Sequence, residues 1–178
     1  LSALQLLERL PKVTRILDTP LPILKDGIIV YPKPGYNADL KCYINPQSPV
    51  LSEINFDDGL QLIEELLDDF CFADDQAKTN AVAKLVSPYC RGLMGWSARM
   101  PLWVLEANRE RSGKDYLCEL IHIVHEGRSS SHPAFENDAE LRKKITSALL
   151  AGARRMHFGN IRGHVASKAL EQAITSKY

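Results

Sequence analysis

Residues 101–115 read Pro-Leu-Trp-Val-Leu-Glu-Ala-Asn-Arg-Glu-Arg-Ser-Gly-Lys-Asp. This stretch constrains the fold more than any other. A short apolar run with Trp103 and Val104 suits a central parallel strand over residues 101–107. Leu117, Leu120, Ile121 and Val124 then recur at helical spacing over residues 116–125, and Gly127 supplies a helix stop. Ser-Gly-Lys between a strand and a helix is the position of a phosphate-binding loop. In such a loop, backbone amides at the positive end of the helix dipole surround a phosphate.

The loop departs from the pattern G-x-x-x-x-G-K-[ST] at two positions. Asn108 stands at the first glycine, a mild change because Asn tolerates positive φ. Asp115 stands where a hydroxyl normally ligates Mg²⁺. A carboxylate is also a Mg²⁺ ligand, but beside a triphosphate it repels. Two like charges at about 4 Å cost on the order of 4 kcal/mol at an effective dielectric near 20. Only a bound cation offsets that cost. The site predicted from the loop is Asn108, Arg111, Ser112, Gly113, Lys114 and Asp115. Lys114 bridges the phosphates as the catalytic cation, Asp115 ligates the metal, and ATP and Mg²⁺ are the cofactors. For Arg109 and Arg111 two readings stand, phosphate contact or surface charge. The competing reading of the whole loop is a surface turn that contains Ser-Gly-Lys by coincidence.

The 178 residues are 45% hydrophobic and carry no net charge, so overall charge does not announce a polyanionic partner. The charges are nonetheless segregated. Residues 53–75 hold nine acids and no Lys or Arg, whereas residues 142–178 hold eight Lys or Arg and one acid, Glu171. A basic C-terminal end matches a nucleic-acid backbone, with Arg154, Arg155, Arg162 and Lys168 as candidate contacts; solvated helix faces are the alternative.

Cys42, Cys71, Cys90 and Cys118 form no C-x-x-C pair, which argues against a zinc ribbon and for reduced thiols in a cytoplasmic protein. No apolar run approaches the roughly 20 residues of a membrane span. His122 and His125, with Cys118 one turn earlier, have metal-binding spacing, but burial against a neighbouring layer explains them more simply. The chain begins at Leu1 and stops after a helical pattern at Tyr178, which reads as a piece of a longer protein.

Three segments are expected. Residues 1–56 form a lead-in: a short helix at 2–10, then a β-hairpin region built from Ile28–Tyr31 and Leu40–Ile44. Asp26-Gly27 and Pro34-Gly35 serve as its turns. Residues 57–100 are helical. One helix is capped by Asp57 or Asp58 and carries Leu60, Ile63, Leu66 and Leu67; a second runs over about 74–86, with Pro88 beyond it. Residues 101–178 are a partial P-loop NTPase-like core. After the loop helix come a helix over 139–150 capped by Asn137 or Asp138 and ended by Gly152, a strand over 154–158, and a helix over 167–175. Alternating strands and helices predict a three-layer α/β architecture.

A hydrolysing P-loop protein also needs an acid at the end of a second apolar strand. Here that strand ends in Gly159-Asn160. The 101–115 unit, Glu140-Leu141-Arg142-Lys143-Lys144-Ile145, residues 158–163 (Phe-Gly-Asn-Ile-Arg-Gly) and residues 167–176 together resemble the ATPase domain of phage- and plasmid-encoded replicative helicases and primase-helicases, relatives of the AAA+ class. The resemblance implies an ATP- and DNA-dependent protein acting as a homo-oligomer. It also implies an acid at position 159 and Ser or Thr at 115. The two departures suggest one exchange, with a carboxylate lost at 159 and gained at 115. The rivals are a catalytically silent ATPase fold that binds DNA or protein, and a small-molecule kinase.

Overall fold

The computed structural model describes residues 10–17, 20–48, 51–94, 98–109, 111–127, 131–151, 153 and 155–175. It is a mixed α/β chain that divides into two compact units, Leu1–Gln61 with Tyr89–Gly95, and Leu62–Pro88 with Trp96–Tyr178.

The first unit carries two small sheets. Strands β1 (Arg15–Leu17), β4 (Gly35–Asn37) and β5 (Cys42–Ile44) make one sheet in the order β1-β5-β4, with β1 parallel and β4 antiparallel to β5. Strands β2 (Ile23–Lys25) and β3 (Ile28–Val30) make the other. Asp26 and Gly27, with φ of 51° and 80°, form the two-residue turn between β2 and β3, the primed turn that matches strand twist. The period of two is plain in β5: Cys42 and Ile44 are buried and Tyr43 between them is exposed. Ile23, Cys42 and Ile44 form the core, with Leu17 and Leu40 against it. Burial pushes the Cys42 thiol up from its ordinary value, against the opposing pull of Arg15.

Two expectations change here. Ile28–Tyr31 and Leu40–Ile44 fall in different sheets instead of one hairpin region, because each pairs with a strand nearer its own turn. Gly35 opens β4, and the β4–β5 turn is closed by Lys41, whose amide donates to Ala38 O at 3.2 Å.

Helix α1 (Phe56–Leu67) is capped by Asn55, two or three residues earlier than the expected Asp57 or Asp58. Its Oδ1 accepts from the Asp58 amide at 2.8 Å. Helix α2 (Asp75–Cys90) is capped by Asp74, which accepts from the Ala77 amide at 2.7 Å. Pro88 lies inside α2 instead of beyond it. Proline cannot donate to the carbonyl four residues back; the Ser87 hydroxyl donates to that carbonyl, Lys84 O, at 3.1 Å.

Helix α3 (Lys114–Glu126) completes the helical core of the second unit. Leu67, Ala81, Leu85, Leu117 and Ile121 are buried together, and Leu66, Phe70, Leu105 and Leu120 pack against them. Each large apolar side chain so buried contributes about 1.5–3 kcal/mol. Gly127 ends α3 in a left-handed cap at φ 69°, its amide donating to Ile123 O.

Helix α4 (Asp138–Leu150) is capped by Asn137, and helix α5 (Lys168–Thr175) begins at Ser167, which accepts from the Leu170 amide at 3.0 Å. Asp138 ties the two together: its Oδ1 accepts from Ser167 Oγ at 2.5 Å and from the Ala169 amide at 3.0 Å.

Residues 101–107 form no strand. Trp103 and Leu105 are half-buried and Leu102 and Val104 exposed. Thus the apolar alternation is used for packing on helices without any neighbouring strand to take up the backbone. Residues 155–158 likewise form no ladder beyond a single parallel bridge between His132 and Phe158. The expected three-layer core with a central parallel sheet is therefore not formed by these segments. The predicted helix at 2–10, the stop at Gly152 and the candidate Arg154 lie outside the described residues, apart from Leu10.

Candidate functional site: the loop before α3

Local backbone geometry, not a side chain, starts α3. Arg111 and Gly113 are both left-handed, at φ 60° and 86°, with Ser112 between them. Gly113 is the N-cap and makes no side-chain cap bond; the first intrahelical bond is Leu117 N to Gly113 O at 2.9 Å. A Cβ at Gly113 would find nothing nearer than the Phe70 ring at 3.9 Å, so the glycine answers to φ and not to space. The other four described helices each begin on a side-chain cap, Asn55, Asp74, Asn137 or Ser167. Gly113 supplies no such cap to the amides that open α3, and uncapped helix-start amides are donors in need of a partner.

Arg111, Ser112, Gly113, Lys114, Asp115 and Tyr116 line a hollow of about 250 Å³. Asn108, expected at the head of the loop, is exposed and not part of this wall. Tyr116 stacks on Phe70, ring centroids 6.1 Å apart.

Three charged or titratable side chains come together here, two of them from the wall itself. Lys114 Nζ is 3.8 Å from Asp115 Oδ2, and Asp115 Oδ1 is 3.7 Å from His157 Nε2. Both distances are too long for strong hydrogen bonds, and the second is a charge pair only when His157 is protonated. Between groups one-third to one-half exposed, the Lys114–Asp115 pair contributes about 0–1 kcal/mol. Asp115 thus takes up part of the field that Lys114 would otherwise present to an anion. Burial holds the His157 imidazole below its ordinary value, Asp115 opposes that shift, and the positive charge of Lys84 adds to it.

His157 reaches this position because His132 pins its segment. The His132 amide donates to His157 O at 2.7 Å and the Gly159 amide donates to His132 O at 3.2 Å. Phe158 packs its ring against His132 and Phe135. Position 159 is thereby set beside the loop: a Cβ on Gly159 would lie 3.9 Å from Asp115 Oδ1. Positions 115 and 159, two of the three at which the sequence departs from the expected loop and strand pattern, are neighbours in space.

The remaining predicted residues are scattered. Arg162 and Lys168 are exposed and Arg155 is half-buried. His125 is buried and its Nε2 pairs with Leu85 O at 2.7 Å, while Cys118 accepts from Lys84 Nζ at 3.1 Å. Among the described residues no group of three or more His, Cys, Asp or Glu side chains is arranged to hold a metal; Asp115 is a single carboxylate. No described helix is long and apolar enough to cross a membrane. Sequence reasoning missed His157 and Phe70. His157 sits in an apolar run that reads as strand, and Phe70 lies 46 positions from Tyr116 in the chain with no motif to join them.

Comparison with protein-family models, with characterised proteins and with solved structures finds no match to this chain.

Proposed function

We propose that this chain is a nucleotide-binding, ATPase-like domain of a DNA replication protein of the helicase or primase-helicase type. On this reading the loop before α3 holds the phosphates of ATP. The observation that carries it is the start of α3 on Gly113, with no side-chain cap: two left-handed residues, Arg111 and Gly113, lie in a loop that lines one hollow with Lys114. Helix N-terminal amides and a lysine are the donors that a phosphate requires.

Lys114 extends its ammonium to the phosphate oxygens and balances the charge that develops on transfer. Asp115 holds Mg²⁺. A carboxylate ordinarily supplied from the end of the second strand then comes from α3, into the space a side chain at 159 would enter. His157, 3.7 Å from Asp115, is the polar neighbour of that carboxylate. Arg162 and Lys168 supply exposed positive charge for a DNA backbone, and the protein acts as a homo-oligomer in the cytoplasm.

One observation favours a second reading. Residues 101–107 are not locked into a sheet, so the loop lacks the rigid strand on which hydrolysis normally depends. A phosphate-binding module without turnover fits that equally.

Nucleotide hydrolysis by the wild type and Lys114→Ala, with and without single-stranded DNA, separates the two. DNA-stimulated hydrolysis lost in the variant supports the ATPase. Nucleotide binding without turnover supports the silent module. Phosphate transfer to a small metabolite, indifferent to DNA, would replace both with a kinase. Asp115→Thr tests the metal role: its nucleotide affinity should lose its present dependence on Mg²⁺ or change it markedly, and an unchanged dependence removes Asp115 from the metal.

A further inference from the structure

Lys84 on α2 and Cys118 on α3 are 34 positions apart in sequence, yet Lys84 Nζ donates to Cys118 Sγ at 3.1 Å. Cys118 is 4% exposed and Lys84 is half-buried. A lysine ammonium ordinarily keeps its head in water; here it is turned inward onto sulfur. The pair does not depend on the nucleotide reading.

We propose that Lys84 and Cys118 form an oxidant-driven crosslinking site, closing to a sulfenamide between Sγ and Nζ when the protein meets hydrogen peroxide. In the first step the thiol attacks the peroxide. The O–O bond breaks, one oxygen stays on sulfur as a sulfenic acid, and the other leaves as water. Sulfur gives up two electrons, which the peroxide takes. In the second step Lys84, having lost its ammonium proton to water, attacks Sγ with its nitrogen lone pair. The S–N bond forms, the S–O bond breaks, and the departing hydroxide takes one of the two nitrogen protons and leaves as a second water, the other proton staying on nitrogen. Thiol, amine and peroxide become a sulfenamide and two waters. Condensation of a sulfenic acid with a nearby nitrogen is established chemistry, and thiols reverse it.

Burial decides the partner. A small oxidant needs little room, whereas glutathione or a second protein thiol cannot dock on a side chain so enclosed. The sulfenic acid therefore meets the amine 3.1 Å away before any solution nucleophile. Exposed Cys71 has no such protection and serves as an internal control. The crosslink joins two helices already packed through Leu85, Leu117 and Ile121, so it closes a loop without repacking them.

The test is peptide mapping of the full chain after brief exposure to dilute peroxide. The expected product is a Lys84–Cys118 crosslinked peptide, lighter than its two parents by two hydrogens and released by dithiothreitol. The oxidised protein should melt roughly 5–10 °C higher. Lys84→Arg keeps a donor at the sulfur but no condensing amine, and Lys84→Met removes the charge; both should lose the crosslink while still oxidising at Cys71. Cys118 that stays reduced, or that advances to sulfinic acid with Lys84 free, while Cys71 is oxidised, overturns the proposal. A crosslink heavier than expected by one oxygen overturns the sulfenamide.

Discussion

The N-termini of α3 and α4 are built alike behind and unlike in front. Each helix puts a buried leucine at its fourth position, Leu117 in α3 and Leu141 in α4, so each first turn is held from the core side in the same way. At the open end they part. Asn137 is extended, at φ −152°, and folds its side chain over the helix to accept from the Glu140 amide. Glu140 reaches back to accept from the Glu136 amide at 2.9 Å, one residue before the cap, so the chain entering α4 is tied down as well. Gly113 is left-handed and has no side chain to give. A helix start that stability alone had shaped would look like α4. The one at α3 leaves its donors available, and Lys114 and Arg111 add positive charge around them. That difference, more than the Ser-Gly-Lys signature, makes the loop a candidate anion site.

The common part of the comparison is tested by the largest effect. Leu117→Ala and Leu141→Ala should each destabilise by about 2–5 kcal/mol, read as loss of denaturation midpoint. Only the first should also weaken phosphate binding. Equal losses of binding would mean that the α3 start has no special role.

Gly113→Val forces a branched side chain into a left-handed conformation and should cost about 1–2 kcal/mol, together with nucleotide affinity. Gly113→Asn, more tolerant of that conformation, should recover most of the stability. If affinity follows stability in both variants, the loop acts only through the fold.

The cap of α4 carries less. Asn137→Ala should cost about 1 kcal/mol and leave nucleotide binding as it was. A titration of the two variants side by side checks this.

The smallest effect is one of pH. The Ser167 hydroxyl, then the Ala169 amide, hold the Asp138 carboxyl below its ordinary value. A carboxylate with a depressed folded value stabilises fully above its unfolded value, near about 3.9, and that contribution fades as pH falls through the folded value. The helical signal of α5 should therefore loosen only below about pH 3.9, and Asp138→Asn should flatten that dependence. An acid titration that is the same in both forms would contradict the role given to Asp138.

Helices were the most legible part of the fold. Apolar residues at 117, 120, 121 and 124 and the Gly127 stop are local signals, and α3 follows them to within two residues. The Asp26-Gly27 turn was equally local. Cap residues were misassigned by a few positions at α1, because Asn55, Asp57 and Asp58 all carry the right oxygen and only backbone geometry chooses among them. The apolar run at 101–107 misled for a different reason. Alternating burial suits a strand, but a strand exists only where another backbone meets it, and no sequence window reports the partner. For the site, the loop residues 111–115 were readable from spacing. Their neighbours His157, Gly159 and Phe70 come together only through the His132 bridge and the α1–α3 packing, contacts between residues far apart in the chain.

Calorimetric titration of ATP, with and without Mg²⁺, into the wild type and Lys114→Ala puts the central claim to its most direct test. The wild type should bind, more tightly with Mg²⁺, and Lys114→Ala should lose roughly 10–100-fold, the value of one charge-assisted contact. Absence of binding by the wild type, or equal affinity in the two proteins, would contradict a phosphate site at the start of α3.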